Sequence, residues 1–209
     1  MFRLAFTLWV LLLLAACQTR IEPPADDGWQ RDTLSASPEE IPETWELTAK
    51  AGLVIDSKSE QANLAWQRRP EIAQPRNNKI RLFGPFGAGT VVLEYGERNV
   101  LLTDNKGKEY WGDDAEELLN EIVGWPLPLK AMRYWMFAQP SPDAVYEYHR
   151  NEEGQLTGLR QFGWEIQYSD WRDYGDRRLP RKIFAHRLDP IGEHKKLSVK
   201  LFVKSWRWP

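Results

Sequence analysis

The sequence predicts a mainly β fold of the α+β class, in which two helices cross a large antiparallel sheet. Two observations carry this prediction: apolar and polar residues alternate from Thr44 through most of the chain, and two central segments change to helical spacing. About nine to eleven strand candidates follow one another closely, which is typical of a meander. A single sheet of that size must curl. Periodicity alone leaves open whether the curled sheet forms a closed core or a barrel-like cup with a helical lid.

The strands are predicted from side chains that alternate between two faces, one apolar and one polar. The first begins near Thr44, and its apolar face carries Leu47, Ala49, Ala51 and Leu53. The same alternation returns at Ala62, Leu64 and Trp66, at Ile80 and Leu82, at Val91, Leu93 and Tyr95, at Val100 and Leu102, and within residues 155–162, 164–169, 179–188 and 195–206. These strands are expected to be half buried.

Two helix candidates interrupt the strands. The first opens at Asp113-Asp114, where acidic side chains cap the positive end of a helix dipole, and it ends at Gly124. The second follows Pro128 and is stopped by Pro140. Their apolar residues at helical spacing are Ala115, Leu118, Leu119 and Ile122 in the first helix and Leu129, Met132, Trp135 and Met136 in the second. Both helices therefore present an apolar face to the sheet.

The N-terminus carries the pattern of a bacterial lipoprotein signal. An apolar run of about thirteen residues is too short to cross roughly 30 Å of hydrocarbon, and it ends in Leu14-Ala15-Ala16-Cys17. This ending resembles the lipobox, whose cysteine is lipidated and becomes the first residue of the mature chain. We assign residues 1–16 to the signal peptide and Cys17 to the lipid anchor; the alternative is a plain signal peptide followed by a buried cysteine. Gln18, where an Asp would favour the inner membrane, implies the outer membrane.

A tether is predicted between the anchor and the folded part of the chain. Residues 17–37 are polar and contain Pro23 and Pro24, so a flexible segment of this length reaches roughly 22 to 27 Å. Ser37 and Pro38 then have the signature of a helix start. Residues 38–209 are assigned to a single domain.

Composition excludes several classes of protein. The formal net charge of -2 argues against a nucleic-acid binder driven by bulk charge. A single cysteine excludes an internal disulfide, and 11 tryptophans indicate large apolar surfaces that need covering.

The polar residues indicate no catalytic or metal site. The acidic cluster at the start of the first helix is explained by capping and by the helix dipole. His149, His186 and His194 lie far apart in sequence, without a second ligand at the spacing that metal sites use. No activated nucleophile is apparent either. We therefore expect a protein that is not an enzyme and that holds neither a cofactor nor a metal ion.

One glycine-rich loop, Gly84-Pro85-Phe86-Gly87 followed by Ala88-Gly89, joins two strand candidates. A phosphate-binding loop would lead into a helix, so this segment predicts a tight protruding turn instead. The apolar residue Phe86 is expected at the tip of this turn. The side chain either folds back on the core or faces a bilayer.

Six segments, taken together and in order, resemble the LolB family of outer-membrane lipoprotein receptors. They are Leu14 to Cys17, Leu64-Ala65-Trp66-Gln67, Gly84-Pro85-Phe86-Gly87, Asp104 to Gly107 leading into Asp113 to Leu119, Gly124 to Leu129 with Trp135 after it, and Gln161 to Tyr168. The resemblance covers nearly the whole mature chain.

The resemblance implies a half-open antiparallel β-barrel of about eleven strands with a helical lid over an apolar cavity. It also implies a monomer in the outer membrane that accepts triacylated lipoproteins from the periplasmic carrier LolA and inserts them into the inner leaflet, without a cofactor. The family usually carries a leucine at the tip of the protruding loop, where this chain has Phe86. The loop Gly84 to Gly87 would then be the membrane-insertion loop.

A lipid cavity would have to shield an acyl chain from water, which costs about 12 kcal/mol for about fifteen methylenes. The residues expected to line it are Leu64, Trp66, Ile80, Leu82, Val91, Leu93, Val100, Leu102 and Ile166 on the sheet and Leu118, Leu119, Ile122, Met132 and Met136 in the lid. Each of them alone also fits an ordinary core. The alternative function is therefore a lipid-anchored structural or assembly module of the outer membrane with a closed core.

Overall fold

The computed structural model describes residues 28–32, 41–70, 75–84, 89–142 and 144–208, which form one antiparallel sheet and two helices. The strands are β1 (Gln30–Asp32), β2 (Trp45–Ile55), β3 (Lys58–Arg68), β4 (Asn78–Phe83), β5 (Thr90–Tyr95), β6 (Val100–Thr103), β7 (Glu109–Gly112), β8 (Tyr146–Arg150), β9 (Leu156–Gln161), β10 (Trp164–Tyr174), β11 (Arg177–Arg187) and β12 (Leu197–Arg207). The helices are α1 (Ala115–Val123) and α2 (Leu129–Trp135). The signal peptide, Cys17 and the helix start at Ser37 lie outside the described residues, as do Pro85, Phe86 and Gly87. Of the predicted tether, residues 28–32 are described, and Gln30–Asp32 form β1 beside β8 instead of a flexible segment.

The sheet is a pair of meanders joined along one strand pair. Its strand order is β1-β8-β9-β10-β11-β12-β2-β3-β4-β5-β6-β7, so the last strand of the chain lies beside β2. The pairing of β12 with β2 runs from Leu197 opposite Ile55 to Arg207 opposite Glu46. Within the described part of the chain, β1 and β7 end the sheet without pairing to each other. The predicted mainly β fold with a half-open sheet is confirmed, with 12 strands among the described residues where about eleven were expected.

The two helices begin where the sequence predicts. The Asp114 carboxylate accepts hydrogen bonds from the backbone N–H groups of Glu116 and Glu117, and Gly124 ends α1 with φ of 77°. The second helix begins at Leu129 but stops several residues before Pro140. The reason is a left-handed backbone at Ala138, with φ of 53°, which turns the chain away before the proline is reached.

Three strands were not predicted, namely β1, β7 and β8. They are short, with 3, 4 and 5 residues, and β1 and β7 are the two edges of the sheet. An edge strand has one neighbour and buries little, so it needs little of the alternation that marks a central strand. In β7 even the large apolar side chain of Trp111 is 62% exposed, so apolar residues do not mark the buried face of this strand.

Aromatic side chains fill one end of the cup. The ring of Trp45 packs edge-on against those of Trp66 and Trp206, with centroids 5.4 and 5.6 Å apart. Phe137, which follows α2, contacts Trp206 at 4.5 Å. The register places Trp45 opposite Arg68 at the far end of β3, away from the Gly84 to Gly89 loop. Aromatic rings therefore fill the space between β2, β3 and β12 at this end of the cup.

Candidate lipid-binding cavity

An apolar cavity lies between the concave face of the sheet and the two helices. Strands β2 to β5 and β12 form its floor, because their inward side chains meet there without filling the space. The described residues that line it are Ala51, Gly52, Leu53, Glu60, Gln61, Ala62, Leu64, Trp66, Ile80, Leu82, Val91, Leu93, Leu119, Trp125, Leu127, Leu129, Met132, Val199 and Leu201. Glu60 and Gln61 are the members of this set with a carboxylate or an amide, and both lie on the part of β3 nearest the β2–β3 turn. The interior of the cavity is therefore suited to a hydrocarbon ligand.

The structure brings together many of the side chains expected to line the cavity. Those at the cavity are Leu64, Trp66, Ile80, Leu82, Val91, Leu93, Leu119 and Met132. Cross-strand pairs explain why they meet: Leu64 lies opposite Leu82, and Leu82 lies opposite Val91. The alternation of apolar residues thus places one row of side chains across three strands.

The other expected residues lie elsewhere in the apolar interior. Val100 and Leu102 are fully buried in β6, against which α1 packs, and Leu118 is buried in α1 itself. Ile122 is half buried at the edge of the core. Met136 and Ile166 line a second, smaller apolar cavity beneath α2.

Eleven lining residues are absent from the sequence-based set. Six of them come from β2 and β3, namely Ala51, Gly52, Leu53, Glu60, Gln61 and Ala62. Trp125, Leu127 and Leu129 come from the connection between the helices and from the first position of α2, and Val199 and Leu201 come from β12. The strand that contains Val199 and Leu201 was predicted, but its position beside β2 was not. Recognition of the Trp-Pro-Leu-Pro connection as part of the lid would have identified Trp125, Leu127 and Leu129 as lining residues.

The cavity is narrow in this conformation. Its volume is about 90 Å³, which is below the roughly 150 Å³ of an engineered apolar cavity that admits benzene. An acyl chain of about fifteen methylenes therefore needs lining side chains or helices to move. The unbranched side chain of Met132 and the short helices above the floor are the parts best suited to do so.

The lid is tied together at the start of both helices. The Lys130 backbone N–H donates to Glu116 Oε1 and its Nζ donates to Asp114 Oδ2, each at 2.8 Å. The hydrogen bond from Lys130 lowers the pKa of the Asp114 carboxyl, while burial raises the pKa of the Glu116 carboxyl. These bonds join the first turns of α1 and α2.

The far end of the lid is held by one buried amide. Gln161 Oε1 accepts from the Trp135 indole and from the Ser141 backbone N–H, and Gln161 Nε2 donates to the carbonyls of Ser141 and Ala144. All four hydrogen-bonding positions of this amide are used. The segment that follows α2 is thereby fixed to β9.

The Gly84 to Gly89 loop lies next to the cavity. The Gly84 backbone N–H donates to the Gly89 carbonyl at 3.1 Å, which closes the base of the loop. One step below this base, the paired side chains of Leu82 and Val91 line the cavity. A ligand leaving the cavity at this end would therefore pass the loop.

The described residues give little basis for metal chemistry. Among them, no group of three or more His, Cys, Asp or Glu side chains is placed to hold a metal ion. The histidines lie apart: His194 Nδ1 is 3.1 Å from Asp56 Oδ2, while His149 packs against Trp29 and His186 stacks on Phe184. Over the same parts of the chain, neither helix has the length and apolarity needed to cross a membrane.

A family model described as "Outer membrane lipoprotein LolB" matches residues 43–206, which covers the sheet from the start of β2 almost to the end of β12. The chain belongs to the LolB family. This confirms the resemblance drawn from the six segments.

Curated LolB relatives cover most of the chain. The outer-membrane lipoprotein LolB of Chromohalobacter salexigens is 34% identical over 176 residues, which span 83% of this chain and 79% of the relative. The LolB of Nitrosococcus oceani is 31% identical over 210 residues, or 98% of this chain and 97% of the relative.

Two solved structures share the fold at very low sequence identity. One is a DUF1329 family protein from Desulfovibrio piger, with a TM-score of 0.52 and 4% identity over 81% of this chain and 87% of the other. The second is an outer membrane lipoprotein-sorting protein domain from Vibrio parahaemolyticus, with a TM-score of 0.51 and 7% identity over 78% and 84% of the two chains. At this identity the likeness supports the fold of the LolB-family chain and no more.

Proposed function

We propose that this LolB-family protein is a receptor that accepts triacylated lipoproteins from the periplasmic carrier LolA and inserts them into the inner leaflet of the outer membrane. In this proposal residues 1–16 are removed and the lipidated Cys17 anchors the chain, with the residues between Cys17 and β1 as its tether. The observation that carries the proposal is the apolar cavity between sheet and lid, which lies next to the Gly84 to Gly89 loop.

The chemistry of the cavity suits a ligand that all clients share. Hydrophobic burial is non-directional, so a cavity lined by side chains such as Leu64, Ile80 and Leu93 holds an acyl chain without reading the attached protein. One receptor can then serve many lipoproteins. The tryptophans at the closed end give the cavity a rigid base, because their rings fill the space between β2, β3 and β12.

Transfer without a nucleotide requires only a sequence of increasing affinities. The cavity must hold the acyl chains more tightly than the carrier does, and the bilayer must hold them more tightly still. Movement of the lid would control both steps, since the narrow cavity has to widen for a chain to enter. The loop tip with Phe86 would contact the bilayer and bring the exit of the cavity to the lipid surface.

The test of this proposal uses the chain without its signal peptide and with Cys17→Ala, which keeps the folded part and removes the anchor. An environment-sensitive fluorescent fatty acid is titrated into this protein, and a purified triacylated lipoprotein is then added as competitor. We expect saturable binding that the lipoprotein reverses. A lipoprotein loaded on LolA should then pass to the receptor and, from it, to liposomes.

A matched variant controls for surface binding of the probe. Leu82→Trp fills the cavity. Val92→Trp adds the same side chain at a position that pairs with Arg81, next to the Leu82–Val91 pair, and Val92 does not line the cavity. The first should lose the binding and the second should keep it. Absence of binding by the folded parent protein would instead favour the closed-core assembly module.

A further inference from the structure

We propose that Met132 is a movable partition between two acyl-binding spaces and therefore determines how long a chain the protein accepts. This inference rests on the proposed function and adds a second site for the distal part of the chain. The second space is the small apolar cavity under α2, whose lining includes Trp135, Met136, Trp164 and Ile166. The ligand expected there is the methyl end of a saturated acyl chain.

The two cavities share one roof residue and two floor residues. Met132 in α2 and the β12 residues Val199 and Leu201 line both of them. Because these three side chains border each space, they form the wall between the spaces. The larger cavity measures about 90 Å³ and the smaller about 10 Å³, and removal of the wall would join them into one space.

Met132 is the part of this wall that can move. Val199 and Leu201 belong to a central strand that pairs with both β11 and β2, which fixes the floor. The backbone of Met132 is held by hydrogen bonds within α2, from its own N–H to Pro128 and from the Met136 N–H to its carbonyl. Its unbranched side chain has three rotatable bonds and a thioether, so it can swing aside without moving the helix.

The space beyond Met132 is suited to hydrocarbon. Trp135 carries a polar group near it, but its indole N–H is already donated to Gln161. The remaining side chains named above are apolar or thioether groups, apart from the indole of Trp164. An apolar space of this kind stays dry, so a methyl end that enters it displaces no bound water.

Chain length is the measurable consequence. Each methylene that finds an apolar space improves affinity about fourfold, whereas one that finds a wall gains little. We therefore expect affinity to rise with fatty-acid length in two stages, separated by the length at which the chain meets Met132.

The experiment uses the unanchored protein and saturated fatty acids from octanoate to hexadecanoate as competitors of the fluorescent probe. With Met132→Ala, affinity should rise with fatty-acid length in one continuous stage. Hexadecanoate should bind about tenfold more tightly than to the parent protein, and octanoate affinity should stay within about twofold of the parent value. Met132→Phe should end the rise at a shorter chain. Leu119→Ala is the matched control, because Leu119 lines only the larger cavity.

A second measurement locates the chain end in the unmodified protein. Hexadecanoate brominated near its methyl end should quench tryptophan fluorescence, and Trp164→Phe should remove much of that quenching. Equal length profiles for the parent, Met132→Ala and Met132→Phe, with fatty acids bound by all three, would overturn the partition and leave the proposed function intact. Failure of every protein to bind any fatty acid would overturn both.

Discussion

The Trp135 indole donates a hydrogen bond of 3.1 Å to the Gln161 side-chain amide across the boundary between lid and sheet. The same amide also bonds to the backbone at Ser141 and Ala144, so it holds both the end of α2 and the segment that follows. Gln161 is 3% exposed. The lid is therefore fixed to the sheet at the end of α2.

We expect Gln161→Leu to destabilise the fold by about 3 kcal/mol or more, because it leaves several buried donors and acceptors without partners. Chemical denaturation of the unanchored protein measures this change. Gln167→Leu, on the exposed side of the neighbouring strand β10, should change stability by less than about 0.5 kcal/mol. Equal effects of the two substitutions would show that the amide does not hold the lid.

We expect Leu82→Trp to weaken fatty-acid binding at least about tenfold without lowering the melting temperature. The larger side chain occupies the cavity beside the loop, and filling an existing space costs little stability. The readout is probe displacement together with thermal unfolding. A loss of binding that came with a large loss of stability would mean that the substitution had disrupted the core.

We expect Phe86→Glu to leave lipid acceptance unchanged and to slow release into membranes, because a charged tip resists entry into hydrocarbon. The measurement is incorporation of a lipoprotein into liposomes from the loaded receptor. Phe86→Leu is the conservative control and should retain release. Unchanged incorporation by the glutamate variant would argue against a membrane-facing tip.

We expect stability to fall in acid partly through Asp114. Its folded-state pKa is held below the usual value, chiefly by the hydrogen bond from Lys130, so its contribution is complete above the unfolded pKa. That contribution is lost as the pH falls through the folded pKa. Asp114→Asn keeps a capping side chain and should lower stability at about pH 7 while reducing the loss between about pH 5 and pH 2. An unchanged pH dependence would contradict this assignment.

Local sequence patterns predicted the strands and helices well where a single feature, such as alternation or a capping residue, determined the element. Alternation located the central strands, and the capping residues Asp114 and Gly124 marked both ends of α1. The second helix was predicted too long because a proline marks only where a helix cannot continue. The actual end depends on the backbone turn at Ala138, which local sequence does not indicate.

The cavity was predictable only in part, because its walls depend on long-range pairing. The row that joins Leu64, Leu82 and Val91 follows from consecutive hairpins, and these residues meet as expected. Val199 and Leu201 reach the same space only because β12 pairs with β2, about 150 residues earlier in the chain. Alternation also cannot distinguish a side chain that borders a void from one such as Leu102, which an overlying helix covers completely.

The aromatic packing around Trp45 and Trp206 has a consequence for the orientation of a bound acyl chain. Since that end of the cup is filled, an acyl chain held as proposed would lie with its methyl end inside and its polar end toward the loop. The headgroup and the attached protein would then remain outside, beside the loop, while the chain is held. Delivery would then need no reversal of the cargo, because its polar part would already be nearest the place where a lipid surface receives it.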